Sequence, residues 1–227
     1  YTPTATPTET QTPTATPTNT AMATPTSTNT PIPTPTPGNV VVCRVGSGTG
    51  SLANTGNPVF LDEFNYLGAL IASYPMPTAK SGANNPLVAS GTSSSECLIT
   101  RSSDGQFIVV TGYSSTLPAG ASLTSSASAT TNRTVGLVSA GGVFNTSTAL
   151  SDFSTGSSPR SGASDNGTNL WVGGGAGGVR YATLGGSTSV SLTASLANIR
   201  QVFIAAGQLH FSSQSAGFRV ATVGTGL

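Results

Sequence analysis

The chain has 227 residues and a formal net charge of +1, and only 7% of its residues are charged, against roughly a quarter in an average soluble protein. Without a basic cluster it carries no electrostatic footprint for nucleic acid or anionic lipid, and no run approaches the roughly 18 apolar residues of a membrane span. A β-rich surface this poor in charge would aggregate through its edges unless sugar covers it or assembly uses it, and both routes point outside the cell.

The chain opens at Tyr1 without the basic and apolar regions of a signal peptide, which reads as a mature product, a trimmed one or a fragment. Residues 1–37 run YTPTATPTETQTPTATPTNTAMATPTSTNTPIPTPTP, with threonine at every even position except Met22 and Ile32. TPTATPTET is answered by TPTATPTNT and then by a degenerate ATPTSTNT. Prolines lack amide donors and push each preceding residue toward extended geometry, so residues 1–38 are expected to form an extended stalk or assembly tail, with neither helix nor central strand. At about 3.1 Å per residue in polyproline II geometry the tract would span on the order of 115 Å. In an extended strand its threonines would share one face, whereas in polyproline II they would surround the axis.

Thr-Pro composition resembles the O-glycosylated linkers of secreted proteins. The candidate attachment sites are Thr2, Thr4, Thr6, Thr8, Thr10, Thr12, Thr14, Thr16, Thr18, Thr20, Thr24, Thr26, Thr28, Thr30, Thr34 and Thr36. A flexible unmodified linker is the alternative. A tract without its own core takes a fixed shape only against a partner, a repeating assembly or a dense sugar coat, and neighbouring subunits are the expected support.

From Asn39 to Leu227 short apolar or alternating runs lie between Gly, Ser, Asn and Asp clusters, the pattern of strands and turns. Strands are predicted at residues 39–45, 58–64, 68–74, 96–101, 106–112, 133–139, 169–174, 179–184, 189–193, 199–206, 208–213 and 218–223, with no helix. Asn65–Gly68 and Ala205–Gly207 are hairpin candidates, and Asp104-Gly105 and Asn166-Gly167 are stronger turn signals.

TNLWVGGGAGGVRYATLG (Thr168–Gly185) aligns without gaps on GQLHFSSQSAGFRVATVG (Gly207–Gly224), an offset of 39 residues. Looser copies start at SSDGQFIVVTG, resuming at NRTVGLVSAGG after the insertion 114–131, and at NVVVCRVG, resuming at NPVFLDEF. A period near 40 with about four strands per unit predicts an all-β, β-propeller-like array of about four-stranded blades, preceded by the Thr-Pro tract. The motifs SSDGQFIVVTGY and DNGTNLWVGGGAGGVRYATLG resemble those of secreted bacterial β-propeller-like proteins with Thr/Pro-rich O-glycosylated stalks. Four units at most are present, which implies either a fragment or an open array completed by a neighbouring copy; a sandwich of two sheets is the rival fold.

Residues able to carry chemistry are sparse. His210 matches Trp171 of the sister repeat and reads as a packing position, and no nucleophile and carboxylate pattern accompanies it. Asp104 and Asp165 read as turn residues, while Asp62 with Glu96 would need the fold to bring them together. GGGAGG (Gly173–Gly178) joins two predicted strands and reads as a hairpin, and the matched Arg180 and Arg219 read as structural. Cys43 and Cys97 are too few for a zinc site and form either one disulfide or two buried thiols. Asn132, Asn145 and Asn166 head N-x-S/T sequons, candidates for N-glycosylation.

No catalytic, cofactor or metal site emerges, and an enzyme is not expected. The leading expectation is a structural subunit of an extracellular or cell-surface glycosylated filament or layer. Its partners would be other copies of itself and covalent glycans. The alternatives are a stalked adhesin or carbohydrate-binding propeller, favoured by exposed aromatics at one mouth such as Trp171 or Tyr113, and then a propeller hydrolase or lyase with clustered acids.

Overall fold

The computed structural model describes residues 38–215, 217 and 219–227, so the Thr-Pro tract and its threonines lie outside the described residues. Strands follow in chain order: β1 Val40–Val45, β2 Asn57–Phe64, β3 Leu70–Pro75, β4 Val88–Ala89, β5 Thr100–Arg101, β6 Phe107–Tyr113, β7 Arg133–Ser139, β8 Phe144–Leu150, β9 Pro159–Ser164, β10 Asn169–Gly174, β11 Val179–Thr183, β12 Val190–Ser191, β13 Ile199–Ala205, β14 Gln208–Ser213 and β15 Val220–Thr222. A 3-10 turn, Ala140–Gly142, joins β7 to β8. The architecture is all-β, and its named strands pair antiparallel throughout.

Four sheet units succeed one another: β1–β3, β5–β8, β9–β12 and β13–β15. The short β4 bridges β2 to β6 and so joins the first two units into one network. Buried apolar side chains fill the space between successive units. Val59, Leu61 and Met76 meet Leu87, Val110 and Val138; Val109, Val135 and Leu137 meet Leu170 and Val172; Ala163, Trp171 and Val179 meet Ile199, Val202, Leu209 and Phe211. Each valine, leucine, isoleucine, methionine or phenylalanine among them, fully withdrawn from water, contributes about 1.5–3 kcal/mol. Val109 and Val110 are neighbours on β6 yet enter different cores, because successive strand residues point to opposite faces. The apolar run FIVV is therefore the mark of a sheet covered on both sides, while β1 alternates half-buried and exposed at its start because one of its faces is uncovered.

The self-matching segments are the hairpins β10–β11 and β14–β15, and their matched turn glycines, Gly178 at φ +68° and Gly217 at φ +75°, both adopt the left-handed geometry that favours glycine. Glycine also serves inside strands: a Cβ on Gly173 would lie 2.5 Å from Ile199 Cγ2, so the third and fourth units approach closely there only because none is present.

Strands β4, β8 and β9 fall where the pattern predicts none. β9 begins with proline and reads PRSGAS, a composition normal for a loop, but it runs beside the inner strands of both neighbouring units. Its small residues are what that position needs: a Cβ on Gly162 would sit 2.8 Å from Val109 Cγ1, and buried Ser161 accepts from Val202 N at 3.2 Å. β8 buries Thr146 and Thr148, whose hydroxyls are satisfied by Asn85 O at 2.7 Å and Gly185 N at 2.8 Å. Over 96–101 the ladder is confined to β5, because Cys97 takes φ +62° and Leu98 instead forms a parallel bridge to Ser161. The insertion after β6 packs Leu117, Ala119 and Leu123 on Val88 and Tyr113. Among the described residues no strand pairing joins β13–β15 back to β1–β3.

Candidate functional site

Among the described residues, the two terminal sheets each have one face against the stack and one face that no other sheet covers. On the first sheet the ladder places Val40, Phe64 and Leu70 in one row, Val42, Asp62 and Ser73 in the next, and Arg44, Phe60 and Pro75 in a third, all on the outer face. Val40, Val42, Leu70 and the bulged neighbour Ile71 are 57%, 46%, 55% and 55% exposed, a cluster of apolar side chains on one face. At its centre Arg44 Nε donates to Asp62 Oδ2 at 2.5 Å, Ser73 Oγ donates to Asp62 Oδ1 at 2.5 Å, and the guanidinium lies 4.1 Å from the Phe60 ring centroid. The Arg44 hydrogen bond, outweighing the effect of burial, holds the Asp62 carboxyl below its ordinary value.

On the last sheet the outer face carries Phe203 stacked on His210, ring centroids 5.1 Å apart, together with Gln201, Ser212, Thr222 and exposed Val220. His210 Nδ1 lies 2.9 Å from the Gln208 carbonyl. The matched Trp171 is buried in the preceding unit, so the repeat keeps a ring at this position but covers only one of the two.

Between the first two units a groove of about 610 Å³ opens. Its floor is Val41, Leu61, Ile99, Ile108 and Val138. On one wall Asn39 Nδ2 donates to Glu63 Oε1 at 2.6 Å and Tyr74 Oη donates to Glu63 Oε2 at 3.0 Å. Burial, and then the Glu63 carboxylate, push the Tyr74 phenol up. The opposite wall is the β5–β6 turn, with exposed Arg101 and Asp104 beside Gln106. Next to the lining residue Gly141, Gly142 takes φ +77°, and a Cβ there would lie 2.0 Å from Tyr74 Cδ1.

No family model matches the chain, and a search of curated proteins finds no significant match. Among solved structures the chain is similar to the computationally designed Ika4 protein, at 9% identity and a TM-score of 0.40, over 79% of this chain and 96% of that one. So loose a likeness bears on neither fold nor function. Among the described residues no helix is long and apolar enough to cross a membrane.

The other acids have structural partners. Asp104 accepts from Ser102 Oγ at 2.6 Å and Gln106 N at 3.1 Å, and Asp165 accepts from Asn166 N at 2.7 Å and Asn169 Nδ2 at 2.8 Å, both within turns. Arg180 binds Asp152 at 3.1 Å and Ser189 Oγ at 2.7 Å, whereas Arg219 lies in an exposed bend. GGGAGG ends β10 and turns into β11. Asp62 and Glu96 share no partner: buried Glu96 accepts from Ser90 N at 2.7 Å and Tyr113 Oη at 2.8 Å. Burial raises the Glu96 carboxyl above its ordinary value, and burial followed by the Glu96 charge raises the Tyr113 phenol. Arg133, fully buried, lies 4.7 Å from the Tyr113 ring centroid, and burial lowers its basicity. Among the described residues no three His, Cys, Asp or Glu side chains converge.

The expectation of exposed aromatics at Trp171 or Tyr113 is corrected, since they are only 5% and 0% exposed. Trp171 packs on Tyr181 within the core between the third and fourth units, and Tyr113 is held down by Glu96 and Arg133. Cys43 on β1 and Cys97 before β5 form a disulfide with Cα atoms 6.0 Å apart, across the interface of the first two units. Of the sequon asparagines, Asn166 is exposed in the β9–β10 turn, Asn145 is half-buried in β8 and Asn132 donates to the Ala149 carbonyl at 3.4 Å. Of the groove residues Asp104 was singled out from sequence, as a turn residue, and its place on a groove wall was not, although NPVFLDEF held a signal: alternation puts Glu63 on the same face as Val59 and Leu61, an acid at an inward position.

Proposed function

We propose that this protein is a structural subunit of an extracellular filament or surface layer, in which copies stack head to tail through their terminal sheets and the O-glycosylated Thr-Pro tract lies along the assembly. The observation that carries the reading is the pair of uncovered terminal faces. Every internal boundary between sheet units is a sheet-on-sheet contact, and the same contact between copies would cover Val40, Val42, Leu70 and Ile71 on one side and Phe203, His210 and Val220 on the other. The two faces differ, so the contact is heterologous and propagates unless the rotation closes a ring. Closure into a propeller is the special case in which the same faces meet within one particle.

A three-stranded sheet of this size measures about 14 by 23 Å, so one such contact covers roughly 650 Å² over the two partners, short of the roughly 1,000 Å² that a specific interface clears. The terminal faces alone give weak, concentration-dependent association, and the Thr-Pro tract supplies the remaining contact. The Cys43–Cys97 disulfide supports an oxidising compartment.

The test is sedimentation and electron microscopy of the native chain, of a form lacking residues 1–37, and of Val40→Lys/Val42→Lys. Concentration-dependent polymers in the native chain, lost in both variants, are expected. A native chain that stays monomeric at every concentration, or polymers indifferent to both changes, would overturn the reading.

A further inference from the structure

We infer that the groove between the first two sheet units is a binding site for a short neutral saccharide carrying an acetamido group. The inference goes beyond the assembly reading and does not depend on it, because the groove uses the inner face of the first sheet, whereas stacking uses the outer one.

The groove lies within the roughly 300–1,000 Å³ typical of small-molecule sites. Its charged groups are Glu63 and Asp104 against Arg101, an excess of one negative charge that disfavours an anionic ligand. Glu63 is oriented before any ligand arrives, with one oxygen accepting from Asn39 and the other from Tyr74. Each carboxylate oxygen retains a further lone pair for a ligand donor. Arg101 uses Nε and Nη2 on the Gly105 carbonyl, which aims the guanidinium and leaves Nη1 to donate. A ligand must therefore donate toward one wall and accept from the other while remaining uncharged, which is the chemistry of vicinal hydroxyls. The apolar floor of Val41, Leu61, Ile99, Ile108 and Val138 has no polar group to satisfy a hydroxyl, so the ligand turns a methyl-bearing group downward, as an acetamido substituent does.

Saturation-transfer NMR and calorimetry on the full chain, produced without glycans, test this with N-acetylglucosamine and its β-1,4 disaccharide as probes and glucose and N-acetylneuraminic acid as comparators. Saturation of the acetamido methyl, weaker binding of glucose and no binding of the anionic sugar are expected. Glu63→Ala should weaken binding by about tenfold or more, since a charge-assisted bond is lost. Arg101→Ala, at an exposed position, should weaken it about threefold to tenfold with the melting temperature unchanged. Absence of saturation transfer, or binding indifferent to both substitutions, would overturn the inference. So would binding of an unglycosylated peptide of residues 2–20 in place of the sugars, which would make the groove a peptide site. A chain that polymerises but ignores the sugars would leave assembly standing and remove this inference alone.

Discussion

Arg133→Met removes a buried cation and keeps most of the side-chain volume. Nη1 donates to Ser126 Oγ at 3.0 Å and to the Thr131 carbonyl, and Nη2 donates to the carbonyls of Ser126 at 2.6 Å, Ser154 at 3.0 Å and Ser157 at 3.3 Å. One guanidinium thus fastens the insertion after β6 to the loop between β8 and β9. Methionine offers none of these bonds and removes a positive charge that interacts with Glu96. Each charge-assisted bond is worth about 1.5–3 kcal/mol, but the terms are not additive, and recovery of the arginine's desolvation cost works the other way. Breaking a buried charged network costs about 3–5 kcal/mol, so we expect a loss of about 4 kcal/mol, a large share of a domain's usual 5–15 kcal/mol. At roughly 2–4 °C per kcal/mol for a domain of this size, scanning calorimetry should show the transition falling by about 8–16 °C. A melting temperature within about 2 °C of the native value would refute the claim that this network holds the two loops.

Glu96 gives a pH test. Its folded carboxyl lies above its unfolded value because burial disfavours the charge, so the native state holds the proton more tightly. The associated stability is fully present below the unfolded value of about 4.3 and is lost as pH rises through the raised folded value. Denaturant midpoints should therefore fall over that window in the native chain, and Glu96→Gln should flatten the fall; an unchanged slope would show that another group sets it. Reduction of Cys43–Cys97, which closes a loop with a sequence separation of 54, should destabilise the fold by about 4 kcal/mol in the chain-entropy picture. Identical melts with and without reductant would contradict a disulfide that constrains the unfolded chain.

Local pattern alone was enough to read the class of fold and most of its elements, because strand periodicity and turn chemistry act over a few residues. Asp104-Gly105, Asn166-Gly167 and Ala205–Gly207 sit at turns for the reasons their side chains and φ preferences dictate. The match of Thr168–Gly185 to Gly207–Gly224 pointed to two equivalent hairpins, which are β10–β11 and β14–β15. What pattern could not reach were elements whose residues are chosen by neighbours distant in sequence. β9 is built of Pro, Arg, Ser, Gly and Ala because two adjoining units crowd it, and β8 buries threonines because Asn85 and Gly185 satisfy them. Trp171 and Tyr113 looked available in sequence, and only tertiary packing removes them from the surface: the stacking of one sheet on the next covers Trp171, and the insertion after β6 covers Tyr113. The groove is likewise tertiary: Glu63 comes from β2, Tyr74 from β3 and Arg101 from β5, and no short-range rule brings them together. Composition and periodicity determined that the chain beyond the Thr-Pro tract makes strands joined by tight turns. The packing of sheet upon sheet decided which faces are spent inside the protein and which are left to meet something else.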